Sequence, residues 1–184
     1  MKILIGISGA SGSALAKAML QQLQGKGHTI YVVASETARA IFLLEQGQTL
    51  ESFLVTQPDV VRQYGNDNLF APFSSGSFYA DAFIIVPCSV GCASRIANGI
   101  SNTLITRVAD VFIKERRPLL LCLREAPLSS LHLEMLLRLS NCGVYIFPAV
   151  PVFYSEGNIA ENIAGRALET LKIEHNAFKG WQGS

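Results

Sequence analysis

A chain of 184 residues is long enough to bury a full hydrophobic core without disulfides or metal ions, so a single domain is expected. Fifteen basic residues against fourteen acidic ones give a net charge of +1, which argues against a global field that attracts nucleic acid or a membrane surface. Hydrophobic residues make up 49% of the chain and charged residues 16%, and this predicts a homo-oligomer in which other copies cover part of the surface.

The apolar segments and the cysteines predict a cytoplasmic protein. No apolar run approaches the roughly eighteen residues of a membrane span, and the stretch 3–7 is shorter than a signal-peptide core of roughly seven residues or more. The cysteines contain no CxxC pair, which predicts free thiols in a reducing compartment. No histidine lies near them, so a metal site is not expected. They are Cys88, Cys92, Cys122 and Cys142.

Residues 1–13 are typical of a buried strand that runs into a glycine-serine turn and then into a helix. Gly6, Gly9 and Gly12 would let the backbone turn sharply and approach a ligand. The following helix would present free N–H groups and its positive dipole end, so the turn is predicted to cradle a phosphate. A structural turn with nothing bound is the alternative, because the spacing is not the GxGxxG dinucleotide fingerprint.

Helices and strands alternate along the rest of the chain. Helices are predicted over 14–23, 36–44 after a capping Ser35, 89–97, 103–115, 129–140 and 159–173, and further strands over 29–33, 82–87, 118–123 and 143–148. Residues 46–80 show no clear period. The five strands predict an α/β fold, a Rossmann-like doubly wound parallel sheet with helices on both faces. A single domain would span 1–184, with a C-terminal tail over about 174–184.

In such a sheet the ligand lies outside the carboxyl ends of the strands. Small or polar residues follow four strands at this edge, namely 8–11, Ser35, 89–92 and the pair Arg124-Glu125. The small residues would let a flat ring and a phosphate approach backbone N–H groups. No acidic residue is clearly placed for the ribose of NAD, which favours a mononucleotide over a dinucleotide.

Cationic residues indicate a second site for a phosphate ester. Arg107 and Lys114 are seven residues apart, hence on one face of a predicted helix, and Arg124 closes the next strand. Such cations hold a phosphate and stabilise the charge that builds as it leaves. The alternative is that Lys114 pairs with Asp110 and that Arg107 is a solvated surface charge.

An ordered set of short segments now resembles a known family nearly end to end. It comprises the turn 6–12, the segments 74–77, 87–89 and 107–110, KERRPL at 114–119, REAPL at 124–128 and PVFY at 151–154. Together they are similar to the UbiX-type flavin prenyltransferases. The resemblance implies a homododecameric, metal-independent flavoprotein that joins the dimethylallyl group of dimethylallyl phosphate to N5 and C6 of reduced FMN. The product, prenylated FMN, would serve a UbiD-type decarboxylase.

The resemblance also implies residue roles, by position. Flavin contacts would be Gly9, Ala10, Ser11, Ser35, Ser89, Val90, Gly91, Cys92, Arg107 and Arg124. Prenyl-phosphate contacts, some reached from neighbouring subunits, would be Lys114, Arg124, Glu125, Tyr154 and Arg166. Glu45 matches a family glutamate near the active site, and the catalytic set would be Lys114, Arg124, Glu125 and Glu45. The cations would hold the phosphate while Glu125 relays a proton to it.

Two other functions remain open. One is a non-catalytic subunit that binds or delivers FMN, against which the joint presence of Lys114, Arg124 and Glu125 argues. The other is a flavin-dependent cysteine decarboxylase, a family with a segment similar to 80–87. That chemistry uses a histidine in the middle of the chain, and here residues 29–131 contain none.

Overall fold

The computed structural model describes residues 1–154, 157–178 and 180. Its strands are β1 Lys2–Ile7, β2 Thr29–Ala34, β3 Val60–Gly65, β4 Ala82–Cys88, β5 Leu119–Leu123 and β6 Tyr145–Pro148. Its helices are α1 Ser13–Leu23, α2 Glu36–Gln46, α3 Leu50–Val55, α4 Val90–Ala97, α5 Leu104–Lys114, α6 Ser130–Asn141 and α7 Ile159–Thr170. A 3₁₀ turn covers Pro72–Ser74.

The strands form one parallel sheet in the order β3-β2-β1-β4-β5-β6. This is the strand order of doubly wound nucleotide-binding folds. The chain builds outward from β1 in one direction and then restarts at β4 in the other, so the switch point lies between these two strands. The predicted Rossmann-like α/β sheet is confirmed.

Helices pack on both faces of the sheet through their buried apolar residues. Helices α1, α2, α3 and α7 bury their apolar residues in one cluster with one face of the strands, and α1 contributes Met19 and Leu23 at 0% exposure. Helices α4, α5 and α6 form the other cluster, to which Val108 and Phe112 of α5 belong. Every residue of β4 is buried, as expected for a central parallel strand covered on both faces.

The prediction of five strands and an irregular segment over 46–80 was wrong, because this segment contains α3 and β3. β3 lies at the edge of the sheet beside β2, with Val61 and Arg62 exposed and Tyr64 buried. An edge strand that faces water lacks the continuous apolar run that marks the central strands. Helix α3 has six residues, too few to display a helical period, and begins where the Thr49 hydroxyl accepts the N–H of Ser52.

The described residues contain no helix that is long and apolar enough to cross a membrane. All four cysteines are free thiols. The tail predicted over 174–184 is described up to Phe178 and at Gly180, and its remaining residues lie outside the described part. Within it, Phe178 packs beside Gly165 of α7, where an added Cβ would lie 2.9 Å from the Phe178 Cβ.

Candidate functional site

Two serines join the carboxyl ends of β1 and β4 at the switch point. The Ser8 hydroxyl donates to the carbonyl of Pro87 at 3.0 Å and accepts the N–H of Ser89 at 2.8 Å. Ser8 is 4% exposed, so these bonds are shielded from water. Beyond this point the chain enters α1 on one face of the sheet and α4 on the other. The divergence opens the crevice in which such folds bind their ligands.

A cavity of about 230 Å³, the polar cavity, occupies this crevice. It is lined by Ser8, Gly9, Ser35, Thr37, Asn66, Ser89, Cys92, Arg95, Thr103, Ile105 and Thr106. Three of these residues are helix N-caps, namely Ser35 of α2, Ser89 of α4 and Thr103 of α5. The positive ends of three helix dipoles therefore converge on one hydroxyl-rich space, and such a space favours a phosphate. Ser35 and Ser89 accept first-turn N–H groups at 3.1 and 3.2 Å, so the prediction of a helix start at each serine is confirmed.

Gly9 forms a wall of the polar cavity that tolerates no side chain. A Cβ at this position would lie 2.8 Å from the Cβ and Cγ2 of Thr37, in the first turn of α2. Real Cβ atoms do not approach other carbons so closely. A close approach is therefore present at Gly9, where the turn after β1 lies against the N-terminus of α2. The approach of this turn to a ligand stays a prediction.

Asn66 organises the third helix terminus, and the sequence prediction missed it. Its carbonyl accepts the N–H of Leu104 at 2.7 Å and its side-chain oxygen accepts the N–H of Ile105 at 2.9 Å. These two N–H groups of α5 are already hydrogen-bonded. The helix therefore contributes to the polar cavity its dipole and the hydroxyls of Thr103 and Thr106. Asn66 directly follows β3, and because that strand was not recognised its end was not placed at the ligand edge.

The N-terminus of α1 differs from the prediction, because a carboxylate of the same chain fills it. Glu45 accepts the N–H of Gly12 at 3.0 Å and both the N–H and the hydroxyl of Ser13 at 2.7 Å. The prediction that this turn offers free N–H groups to a phosphate is wrong for Gly12 and Ser13. Burial would raise the pKa of Glu45, but the bonds from Ser13 and Gly12, with the charge of Arg124, hold it below its ordinary value.

Arg124 and Glu125 lie between the turn 8–12 and a second, larger cavity. Arg124 donates to the hydroxyl of Ser11, in the same turn that carries Gly9. The two charged residues also border a cavity of about 640 Å³, the apolar cavity. Its other lining residues are Leu123, Ala126, Leu128, Leu133, Leu136, Ile146, Pro148, Ala149 and Val150. The turn 8–12 therefore connects the polar cavity to a pair of charges at the edge of the apolar cavity.

Two buried cysteines, Cys88 and Cys122, are not poised as nucleophiles. A hydrogen bond with Cys92, followed by burial, raises the pKa of the Cys88 thiol well above its ordinary value. Burial raises the pKa of Cys122 to about 12. Within the described residues, no group of three histidine, cysteine or carboxylate side chains is arranged to hold a metal ion.

Comparison with known proteins identifies the family. The Flavoprotein family model matches residues 1–170. The curated flavin prenyltransferase UbiX of Methanocaldococcus jannaschii is 39% identical, over 98% of this chain and 98% of the relative. That of Thermoplasma acidophilum is 40% identical, over 98% of this chain and all of the relative. The chain belongs to the UbiX flavin prenyltransferase family.

Solved structures of UbiX-like proteins have the same fold. A dodecameric FMN-dependent UbiX-like decarboxylase from Escherichia coli O157:H7 superposes with a TM-score of 0.93 at 34% identity, with all of both chains covered. AnUbiX (PadA1), solved with FMN and dimethylallyl pyrophosphate, gives the same TM-score and identity over 100% of this chain and 98% of its own. The FMN-dependent cysteine decarboxylase TvaF reaches 0.66 at 17% identity, which shows the shared fold alone.

One chain brings together only part of the set of UbiX site residues predicted from the sequence. Gly9, Ser35, Ser89 and Cys92 line the polar cavity, and Val90 and Gly91 form the first turn of α4 between the last two. Ser11 meets Arg124 one residue beyond Ala10. The lining residues that the sequence prediction missed are Thr37, Asn66, Arg95, Thr103, Ile105 and Thr106.

Arg107 and Lys114 lie at different ends of α5. Arg107 donates from Nε to the carbonyl of Ser74 at 3.0 Å and from Nη1 to Asp110 at 2.8 Å. Lys114 ends the helix about 10 Å further along its axis, toward the opposite edge of the sheet. It donates to Glu115 at 2.6 Å, a bond that lowers the pKa of that carboxyl. The alternative pairing of Lys114 with Asp110 is therefore wrong, because Arg107 occupies Asp110.

Tyr154 and Arg166 lie together against the ring of Phe178. The Tyr154 and Phe178 ring centroids are 6.4 Å apart, and the Arg166 guanidinium carbon lies 5.9 Å from the Phe178 centroid. Both are exposed residues on the α7 side of the sheet. Arg124 instead contacts Ser11, and Lys114 contacts Glu115, so the three cations of the predicted prenyl-phosphate site have different partners in one chain.

Proposed function

We propose that this member of the UbiX family is a flavin prenyltransferase that joins the dimethylallyl group of dimethylallyl phosphate to N5 and C6 of reduced FMN. The observation that carries the proposal is the turn 8–12. It borders the polar cavity through Gly9 and holds a cation beside the apolar cavity through Ser11. A single flavin-binding domain in the cytoplasm would deliver prenylated FMN to a UbiD-type decarboxylase.

The residues present fit FMN. The N-termini of α2 and α4, with hydroxyls from Ser35 and Ser89, suit the terminal phosphate of a mononucleotide. The small residues Gly9 and Ala10 leave room for a flat ring to approach the backbone of the turn. When bound, reduced FMN supplies the electron-rich ring atoms that are to be alkylated. The task of the protein is to hold that ring against the prenyl donor.

Arg124 and Glu125 suit the donor. A branched five-carbon chain would be held by the apolar cavity, whose aliphatic lining begins directly at this pair. As the carbon–oxygen bond of the donor breaks, both electrons leave with the phosphate, and the guanidinium of Arg124 stabilises the growing charge. Glu125 can relay a proton to the departing phosphate.

Neighbouring copies would complete the donor site. Lys114, Tyr154 and Arg166 lie away from Arg124 within one chain, so they reach the same donor only from other subunits. Exposed apolar side chains support such an assembly, since Phe70 and Phe153 are 99% and 97% exposed in the single chain. The leucines at 131, 133 and 137 on α6 are also exposed. A dodecamer like that of the Escherichia coli protein is the proposed assembly.

The direct test is to incubate the purified protein anaerobically with reduced FMN and dimethylallyl phosphate, and to record the mass of the released flavin. The expected product is a flavin heavier by one five-carbon prenyl unit. Binding of FMN with no such product would overturn the enzyme and leave a carrier subunit. Decarboxylation of a peptide that ends in cysteine would instead support the decarboxylase alternative.

Variants at Arg124 test its role. Arg124→Ala is expected to lower turnover about 100- to 1,000-fold, as for the loss of a group that stabilises charge in the transition state. FMN binding, measured by quenching of flavin fluorescence, should change far less. Arg62→Ala, an exposed arginine on β3, is the matched control and should leave both quantities unchanged. Equal losses of turnover and of FMN affinity would contradict the assignment of Arg124 to the donor.

A further inference from the structure

We infer that Arg95 is the residue that makes the polar cavity select FMN over the phosphate-free flavin, an inference that rests on the proposed function. Among the residues that line the cavity, Arg95 carries the only formal charge. No carboxylate lies in that lining, so the charge is not balanced within the cavity. A phosphate monoester bound there would meet this guanidinium together with the helix N-termini.

The position of Arg95 on α4 explains how its side chain reaches the cavity. Long helical side chains point back toward the N-terminus of their helix, and residues four apart share a face. Arg95 accordingly folds back over Gly91, and its Nη1 donates to the Gly91 carbonyl at 3.3 Å. A Cβ at Gly91 would lie 3.9 Å from that nitrogen, so a longer side chain there would enter the space of the guanidinium.

The guanidinium retains donors for a ligand. The single bond to Gly91 is long, whereas an arginine carries five N–H donors in a planar fork that matches phosphate oxygens. The ion pairs among the described residues all involve other side chains. Arg95 is therefore a cation at the polar cavity that forms no ion pair with the described residues.

The other nearby arginines are committed elsewhere. Arg107 follows Thr106 of the cavity lining, but it donates to the Ser74 carbonyl and to Asp110. Arg124 donates to the hydroxyl of Ser11. Removal of Arg95 would thus leave the cavity with helix dipoles and hydroxyl groups but without a charged partner.

The test compares the dissociation constants of FMN and riboflavin, which differ only in the phosphate, by fluorescence quenching in the full-length protein. Arg95→Ala should weaken FMN binding about 10- to 100-fold, as for the loss of a charge-assisted phosphate contact, and leave riboflavin binding unchanged. Arg95→Lys keeps the charge without the planar fork, so its dissociation constant for FMN should lie between those of the wild-type protein and Arg95→Ala. Arg62→Ala is the control for a lost positive charge far from the cavity.

A second readout is salt dependence. The preference of the wild-type protein for FMN over riboflavin should fall as salt rises, and this dependence should be weaker in Arg95→Ala. Equal weakening of both flavins, or an unchanged FMN to riboflavin ratio, would overturn the role of Arg95. The assay needs no prenyl donor. Wild-type protein that binds FMN through Arg95 but forms no prenylated product would therefore reject the proposed function and retain this inference.

Discussion

Glu45 is expected to stabilise the start of α1 in place of a capping side chain. The N-cap of this helix is Gly12, which has φ 103° and no side chain to accept an N–H group. The Glu45 carboxylate does so from α2. Loss of an N-cap acceptor costs typically about 1 kcal/mol, and the interaction of a carboxylate with the helix dipole adds about 0.3–1 kcal/mol. Glu45 is exposed, so solvent screens part of the charge contribution. We therefore expect Glu45→Ala to lower the free energy of unfolding by about 1–2 kcal/mol.

The measurement is urea unfolding at one fixed protomer concentration, because assembly makes apparent stability depend on concentration. Glu134→Ala is the matched control, since this exposed glutamate of α6 pairs with Arg138 at 3.7 Å. Loss of such a surface pair should cost less than about 0.5 kcal/mol. A Glu45→Ala protein as stable as Glu134→Ala would refute the capping role.

Acid pH provides a second check on Glu45. Because its pKa is lowered in the folded protein, its stabilising effect is complete above the pKa of the unfolded chain, about 4.3. The effect is lost as pH falls through the lower folded value. The difference in stability between the wild-type protein and Glu45→Gln should therefore shrink from pH 7 toward pH 3. A difference that stays constant over this range would show that the carboxylate charge plays no part.

Three further predictions concern His28, Gly9 and Cys122. Both ring nitrogens of His28 are buried without a hydrogen-bond partner in the described structure, and burial lowers its pKa. Stability should therefore fall as pH drops below about 6.5, and His28→Phe should flatten that decline in pH-dependent melts; an unchanged slope would contradict this. Gly9→Ala should cost about 1–3 kcal/mol in urea unfolding through overlap with Thr37, and Thr37→Gly in the same chain should recover part of it rather than add to the loss. Iodoacetamide should modify Cys122, whose pKa is about 12, only after denaturation, and rapid labelling of the folded protein in peptide mass spectra would count against this.

The sequence alone determined the fold class and most of the elements. Continuous apolar runs such as 82–87 and 119–123 mark buried parallel strands because both of their faces must be covered. Ser35 and Ser89 mark helix starts because a serine hydroxyl at this position accepts an N–H group of the first turn. Strand ends then fix the edge of the sheet at which ligands bind, and this placed Gly9, Ser35 and Ser89 at one site before any coordinates.

The tertiary structure decided what no local pattern contains. Glu45 closes the α1 turn from 33 residues away, and Asn66 reaches α5 from the end of an exposed edge strand whose pattern is too polar to recognise. Arg95 lines the polar cavity because α4 begins at the junction between Ser8 and Ser89. The tertiary structure also decided which charges pair, since Asp110 forms its ion pair with Arg107 and not with Lys114. Contacts between distant segments depend on how helices pack on the sheet, and a sequence read along its length does not specify that geometry.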